Sequence, residues 1–292
     1  MAGFPALDAD TLTAVKQAID AGFQAFSQRH GAAIEAAFAP LQGLLIAAET
    51  ALLAMPWPLL LALVAALAWS ASRRWTLALG SATTLALLGL FGLWDDTLKT
   101  LAMVLVATAL AVLTGGPLGV AMARSPRLQR VLNPLLDLMQ TLPSFVYLIP
   151  AVMLLGIGRV PGLLAVVVYA LPPMVRLTSL GLREVDRDVL EAADAFGATP
   201  RQKLLGVQLP LALPTLMAGI NQTIMMALAM VVVAAMIGVQ GLGQPVLKAI
   251  NNQYFALGLF NGLAIVAIAI VFDRIAQAWG WRLQRHRQGG HG

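Results

Sequence analysis

The chain has 292 residues, 59% of them hydrophobic and 11% charged, with a mean hydropathy of +0.80 and a formal net charge of +5. Soluble domains carry roughly 25% charged residues, so a water-soluble globular fold is excluded and an all-α, polytopic membrane protein is expected. The absence of cysteine excludes disulfides, thiolate metal sites and cysteine nucleophiles. His30, His286 and His291 all lie outside the apolar segments, which argues against a buried zinc or haem site. The basic residues flank apolar segments, so the high pI reflects membrane topology and not a nucleic-acid partner.

Residues 1–55 carry Lys16 and Arg29 against Asp8, Asp10, Asp20, Glu35 and Glu49, a net charge of −3. Val15, Ile19, Phe23 and Phe26 recur at helical spacing, which predicts an amphipathic N-terminal tail lying on the membrane. The opening MAGFPALDAD has neither the basic region nor the apolar core of a secretory signal.

A hydrocarbon core of about 30 Å needs about 20 apolar residues in helix. About seven spans are expected: 56–72, 75–93, 97–122, 135–158, 161–180, 211–238 and 257–276. The first pair is separated by Arg73 and Arg74 alone and is assigned, with residues 56–96, to peripheral helices. Residues 97–280 form the expected core, and 281–292 a basic tail. Pro143 and Pro150, Pro172 and Pro173, and Gly115-Gly116-Pro117 are expected to interrupt their spans, freeing backbone groups that a neighbour or a cavity must satisfy. Counting Lys and Arg on each side gives fourteen against five, which places the loop after the fifth span in the cytoplasm, the N-terminus outside and the C-terminus inside. Asp137, Arg176 and Asp273 are the candidate charges within spans, each close to a span end, which weakens an ion-coupled carrier.

That loop, Asp186 to Pro214, predicts two short helices with a sharp bend. Asp186 caps the first, and Val189, Ala193 and Phe196 share one face. Gly197 follows, where a left-handed residue costs least. Thr199, Pro200 and Gln202 form a capping box with Pro at the first helical position. The turn Gly238 to Pro245 lacks the Lys and Ser or Thr of a P-loop, and no Walker A pattern occurs in the chain, so ATP hydrolysis by that route is excluded here.

Glu191-Ala192-Ala193, Gly197-Ala198 and Val207-Gln208-Leu209-Pro210 resemble the EAA loop of ABC importer permeases. The stretches SPRLQRVLNPLLDLMQTLPSFVYLIPAVMLLGIGRVPG (125–162), ALPPMVRLTSLG (170–181) and AGINQTIMMALAMVVVAAMIGVQGLGQPVL (218–247) resemble the permease of glycine betaine/proline betaine and choline ABC importers. The resemblance implies a type I (methionine-importer-like) transmembrane domain in the bacterial inner membrane, working as a homodimer. It implies two cytoplasmic ATP-binding subunits, which bind ATP and Mg that this chain does not, and a periplasmic substrate-binding protein. The ATPase-docking surface carried over by the resemblance is Glu191, Ala192, Ala193, Phe196, Gly197 and Ala198. Candidates for the translocation path are the aromatic Phe145, Tyr147 and Tyr169, whose faces suit a quaternary ammonium, with Asn221 and Gln222 as polar guides. The alternatives are the permease of another EAA-loop importer, such as one for amino acids, and an ion-coupled secondary carrier. A membrane-embedded enzyme would need clustered His, Cys or acidic residues within the spans.

Overall fold

The structure is a computed structural model that describes residues 8–288, the side chains of 281 and 283–288 excepted. Residues 1–7, and residues 289–292 of the expected basic tail, lie outside the described residues. The described chain is helical, with no strand among these residues.

The core is built on α4 (Trp94–Arg124), α7 (Arg159–Arg183) and α10 (Leu209–Ala234), with α7 packed between the other two. Their contact faces are small. A Cβ at Gly119 on α4 would lie 2.6 Å from Thr178 Cβ and 2.7 Å from the Val175 carbonyl on α7, so only glycine admits this separation. Without a hydrophobic drive between helices in lipid, such close approach is the main source of association. Leu98, Val104, Leu163, Val166, Met230 and Val231 fill the interior and are essentially inaccessible.

Two interruptions expected from proline do not occur. The α4 helix runs through Gly115-Gly116-Pro117, and α7 runs through Pro172 and Pro173. A proline in a helix removes one hydrogen bond; Pro172 and Pro173 are buried in the packing of α7, whereas Pro117 lies on the exposed face of α4, whose other face is packed on α7 at Gly115 and Gly119. The 135–158 span is instead where the chain breaks. α5 (Pro126–Thr141) starts at a Ser125 cap, and beyond Leu142-Pro143 a 3-10 turn (Ser144–Tyr147) leads into α6 (Leu148–Leu155), bent by 111° from α5. The residue before a proline is driven out of the helical region, and Leu142 is accordingly extended at ψ 133°.

Among the described residues five helices are long and apolar enough to cross a membrane, or six if the bent pair makes one crossing. The expected first pair becomes α2 (Trp57–Ser72) and α3 (Trp75–Leu90), each of 16 residues. At 1.5 Å per residue these reach about 24 Å, short of a full core of about 30 Å. For the seven expected spans the described residues thus offer five full-length apolar helices, one bent pair and two shorter apolar helices.

The N-terminal segment forms a single helix, α1 (Ala9–Ala54), of 46 residues. Its first half is exposed, with Leu12, Val15, Ile19 and Phe26 among the uncovered apolar residues. Its last turns belong to the bundle: Leu45 is buried in the main core, with Leu41, Ala48 and Leu52 packed around it. Glu49, 8% exposed, pairs with Arg159 at 2.9 Å. The helices α11 (Gly243–Asn252) and α12 (Phe255–Gln288) close the order. The turn before α11 is anchored in the core, with Gly238 and Gln240 exposed between and beside the anchors. Val239 and Leu242 are inaccessible, and the Leu242 amide donates to Thr100 Oγ1 at 2.9 Å.

Candidate functional site

The Asp186 to Pro214 segment projects from the end of the bundle that holds Arg124 and Arg183. Its first arm is α8 (Arg187–Ala195), where the Asp186 carboxylate accepts from the Asp188 amide at 2.9 Å. At Gly197 the backbone takes φ +74°, the left-handed region that ends the helix. The second arm opens with α9 (Pro200–Lys203), on a complete capping box. Thr199 Oγ1 accepts from the Gln202 amide at 3.3 Å, and Gln202 Oε1 accepts from the Thr199 amide at 2.9 Å. Lys203 reaches back to Asp194 and ties the arms together.

No residue of α8 is buried. Phe196 is 92% exposed, Val189 is exposed, and Ala193 and Ala198 are half-covered, while Glu191, Ala192 and Gly197 are open to solvent. A large apolar side chain held out on a capped, bent element has no role in the packing of this chain. An exposed apolar patch of this kind marks an interaction surface.

The second arm does not end where the sequence indicated. From Pro200 the helix continues through a π turn (Leu204–Gln208) into α10 and on to Ile237, 38 residues in all. Pro210 cannot donate a backbone hydrogen bond, and the wider π turn just before it absorbs its ring without breaking the helix. The second arm of the elbow is thus the protruding end of a core helix. It also touches α4, where Arg124 Nη2 donates to the Pro200 carbonyl at 3.4 Å.

The path candidates separate into distinct places. Tyr147 and Tyr169 meet edge to face, with ring centroids 5.8 Å apart, and the Tyr147 hydroxyl donates to the Met139 carbonyl. Phe145, on the same 3-10 turn, is exposed. Asn221 turns toward α12, where its amide donates to Asp273 at 2.7 Å. Gln222, the next residue, lines a polar cleft of about 550 Å³ between α5, α7 and α10. Gln129, Asn133, Gln140, Arg176, Ser179 and Arg183 share that cleft, and Asp137 on α5 pairs with Arg176. The sequence had isolated Asp137 and Arg176 as span-end charges; their pairing across 39 residues depends on the break at Leu142-Pro143, which has no local signature of direction.

The chain matches the family model for the inner membrane component of binding-protein-dependent transport systems over residues 115–285. It is 48% identical over 243 residues to the glycine betaine/proline betaine transport system permease protein ProW of Escherichia coli (strain K12), covering 82% of this chain and 68% of that protein. It is 47% identical over 226 residues to the glycine betaine/carnitine transport permease protein GbuB of Listeria monocytogenes, covering 77% and 80%. The fold is similar to that of an inward-facing MetNI methionine ABC transporter chain, with a TM-score of 0.57, 24% identity, and coverage of 64% of this chain and 92% of that one. The continuous helix behind the elbow, the α4–α7–α10 core and these matches lead to one conclusion: the chain belongs to the family of binding-protein-dependent transport system inner membrane components, the multi-pass permeases of ABC importers.

Proposed function

We propose that this chain is the translocation subunit of an ATP-driven importer of quaternary ammonium compounds, glycine betaine, proline betaine or choline. The observation that carries the coupling is the elbow: an exposed docking surface, Glu191 to Ala198, on the first arm and the Gly197 bend, clamped by the Asp194–Lys203 pair to a second arm that continues as helix from Pro200 to Ile237. A displacement at Phe196 passes the short Gly197–Thr199 bend, which the Asp194–Lys203 pair spans, and then enters the helix that runs into the core. The identity to permeases named for glycine betaine supports the substrate class.

In this reading two copies of the chain pair in the inner membrane, with the N-terminus outside and the elbow and C-terminus in the cytoplasm. Two ATP-binding subunits engage the elbows and bind ATP and Mg, and a periplasmic binding protein delivers solute. Coupling is differential binding. ATP and the loaded binding protein favour the same arrangement of the permease pair, and hydrolysis releases it. The permease performs no covalent chemistry.

The cleft between α5, α7 and α10 is the proposed inner part of the route. Its amides and hydroxyl offer donors and acceptors, Arg176 is paired with Asp137, and Arg183, which donates to Gln129, adds a cation that can meet the carboxylate of a zwitterion. The Tyr147–Tyr169 pair lies one residue's contact from it, since Tyr147 is anchored to Met139, the neighbour of the cleft residue Gln140. Aromatic faces there can receive a quaternary ammonium.

The test is reconstitution of the chain with its ATPase and candidate binding proteins in lipid. Glycine betaine is expected to stimulate ATP turnover and drive uptake. Accumulation of solute by the permease without an ATPase would overturn the proposal.

A further inference from the structure

A second cleft, of about 590 Å³, lies at the elbow-side end of the molecule but away from the elbow, between the α2–α3 turn and α12. Arg73, Arg74, Arg274 and Arg282 line it, together with Thr76 and Gln277. None of the four arginines is within ion-pair distance of a described carboxylate. Asp273, next to Arg274 in sequence, is held instead by Gln277 at 2.8 Å and Asn221 at 2.7 Å, and is not part of the lining. Converging unneutralised guanidinium groups repel one another, so this arrangement costs free energy unless an anion sits among them.

The walls add a second, independent indication. The α3 helix begins at the cleft with no side chain capping its N-terminus, so the free amides of its first turn, at the Thr76 level, and the positive end of its dipole face the same space. Arg282 is fixed by donating to the Ser70 carbonyl at the end of α2, and Arg73 lies 4.7 Å over the Trp69 ring. Trp69 and Trp75 meet at a tilt beside the turn, with centroids 5.8 Å apart. Tryptophans at this position in short apolar helices mark the headgroup level of a bilayer. The cleft also carries the alkyl walls Ala71, Leu77 and Ala278.

We propose that this cleft is a binding site for the phosphate of an anionic phospholipid headgroup. Guanidinium forks and helix N-terminal amides both match phosphate oxygens, and a basic pocket between membrane helices at the headgroup level is the arrangement that retains such lipids. The proposal needs only that the chain is embedded in a membrane, so it stands apart from the transport reading.

The test is native mass spectrometry of the purified full-length chain in detergent, titrated separately with phosphatidylglycerol, phosphatidylcholine and inorganic phosphate. Retention of phosphatidylglycerol at least about tenfold tighter than phosphatidylcholine is expected, and the variant R73Q/R74Q/R274Q/R282Q should lose that preference. Thr76→Glu places a carboxylate at the start of α3, where it favours the helix, and should also expel the lipid in a protein that remains folded. The variant R124Q/R127Q/R130Q, at the same end of the molecule but outside the cleft, should retain the preference. Equal retention of the two lipids, or equal loss in the R124Q/R127Q/R130Q control, overturns the proposal. Saturation by inorganic phosphate with no lipid preference assigns the phosphate chemistry to a soluble anion and overturns the lipid as its source.

Discussion

Asp194, near the end of α8, accepts from Lys203 Nζ through both carboxylate oxygens, at 2.5 and 2.7 Å, and so ties the two arms of the elbow across Gly197. Exposed pairs contribute only about 0.2–1 kcal/mol, so this clamp selects the bend angle and does not hold the fold. The bend itself rests on the backbone of Gly197.

Gly197→Val should leave the chain in the membrane and abolish ATP-driven uptake. A Cβ there meets nothing within 4 Å, so the effect is conformational alone. An L-residue at φ +74° costs about 1–2 kcal/mol, and a β-branched one more. Gly197→Asn, which tolerates the left-handed region, should retain most uptake. Vesicle uptake of the two variants at matched membrane levels is the measurement, and equal loss in both would point to sterics at a partner and not to the bend.

Phe196→Ser should change the thermal stability of the purified chain by no more than about 0.5 kcal/mol, because a side chain 92% exposed gives up no packing. Capture of the ATPase subunit should nevertheless weaken by at least about 30-fold, the effect of losing about 2 kcal/mol at an aromatic anchor. Co-purification with the ATPase reads the loss. Unchanged capture would move the docking surface elsewhere.

The two arms of this elbow were legible because their signals are local: Asp186 and Thr199–Gln202 satisfy amides within three residues, and Gly197 ends a helix by itself. The continuity from Pro200 to Ile237 was not, since Pro210 and Pro214 read as the edge of a span, and only the π turn at Leu204–Gln208 lets the helix pass. Hydropathy likewise has no direction. It found 135–158 apolar enough to cross, yet the break at Leu142-Pro143 turns α6 by 111° from α5, and with it the polar face of α5 opens the cleft. The same blindness split Asn221 from Gln222: adjacent residues on a helix point about 100° apart, and which neighbour each meets is a tertiary fact.

Gly119→Ala should destabilise the chain by about 1–3 kcal/mol, the range for overpacking a filled interior. The added methyl would meet Thr178 Cβ at 2.6 Å and the Val175 carbonyl at 2.7 Å, neither of which can retreat without moving α7. Gly116→Ala, three residues earlier and 3.8 Å from the flexible end of Met174, should cost little. Heat-induced aggregation of the two variants in detergent separates them.

Arg176→Ala should lower maximal glycine betaine uptake about tenfold while leaving ATPase capture intact. Removing the guanidinium takes a cation from the cleft wall and leaves the Asp137 carboxylate beside it without its partner, which disfavours the carboxylate of the incoming zwitterion. Like charges within such a passage raise the barrier by about 1.4 kcal/mol for each tenfold in rate. Asp137→Asn in the same chain removes that charge and should restore part of the rate. Gln222→Ala is expected to act in the cleft with a smaller loss, whereas Asn221→Ala, at the α12 contact, should reduce stability first. Tyr147→Ala should raise the substrate concentration needed for half-maximal uptake. Unchanged uptake in all of these would remove the cleft from the route.

Arg159→Ala should loosen the long N-terminal helix from the bundle. Glu49 is 8% exposed and takes its ion pair from Arg159 at 2.9 Å, and the same guanidinium donates to Gln240 at 3.1 Å on the turn before α11. One side chain therefore holds α1, the start of α7 and the α10–α11 turn together. Leaving the carboxylate buried and unpaired costs about 1–3 kcal/mol, enough to expose Arg29 and Lys16 to a protease more often without unfolding the core. Limited trypsin digestion should release the first half of α1, up to Arg29, faster from Arg159→Ala than from the parent chain, and the double variant E49Q/R159A should recover part of the resistance, since the amide it leaves behind carries no charge. If the double variant were cut as fast as the single one, the attachment of α1 would rest on Leu45 and its apolar neighbours and not on this ion pair.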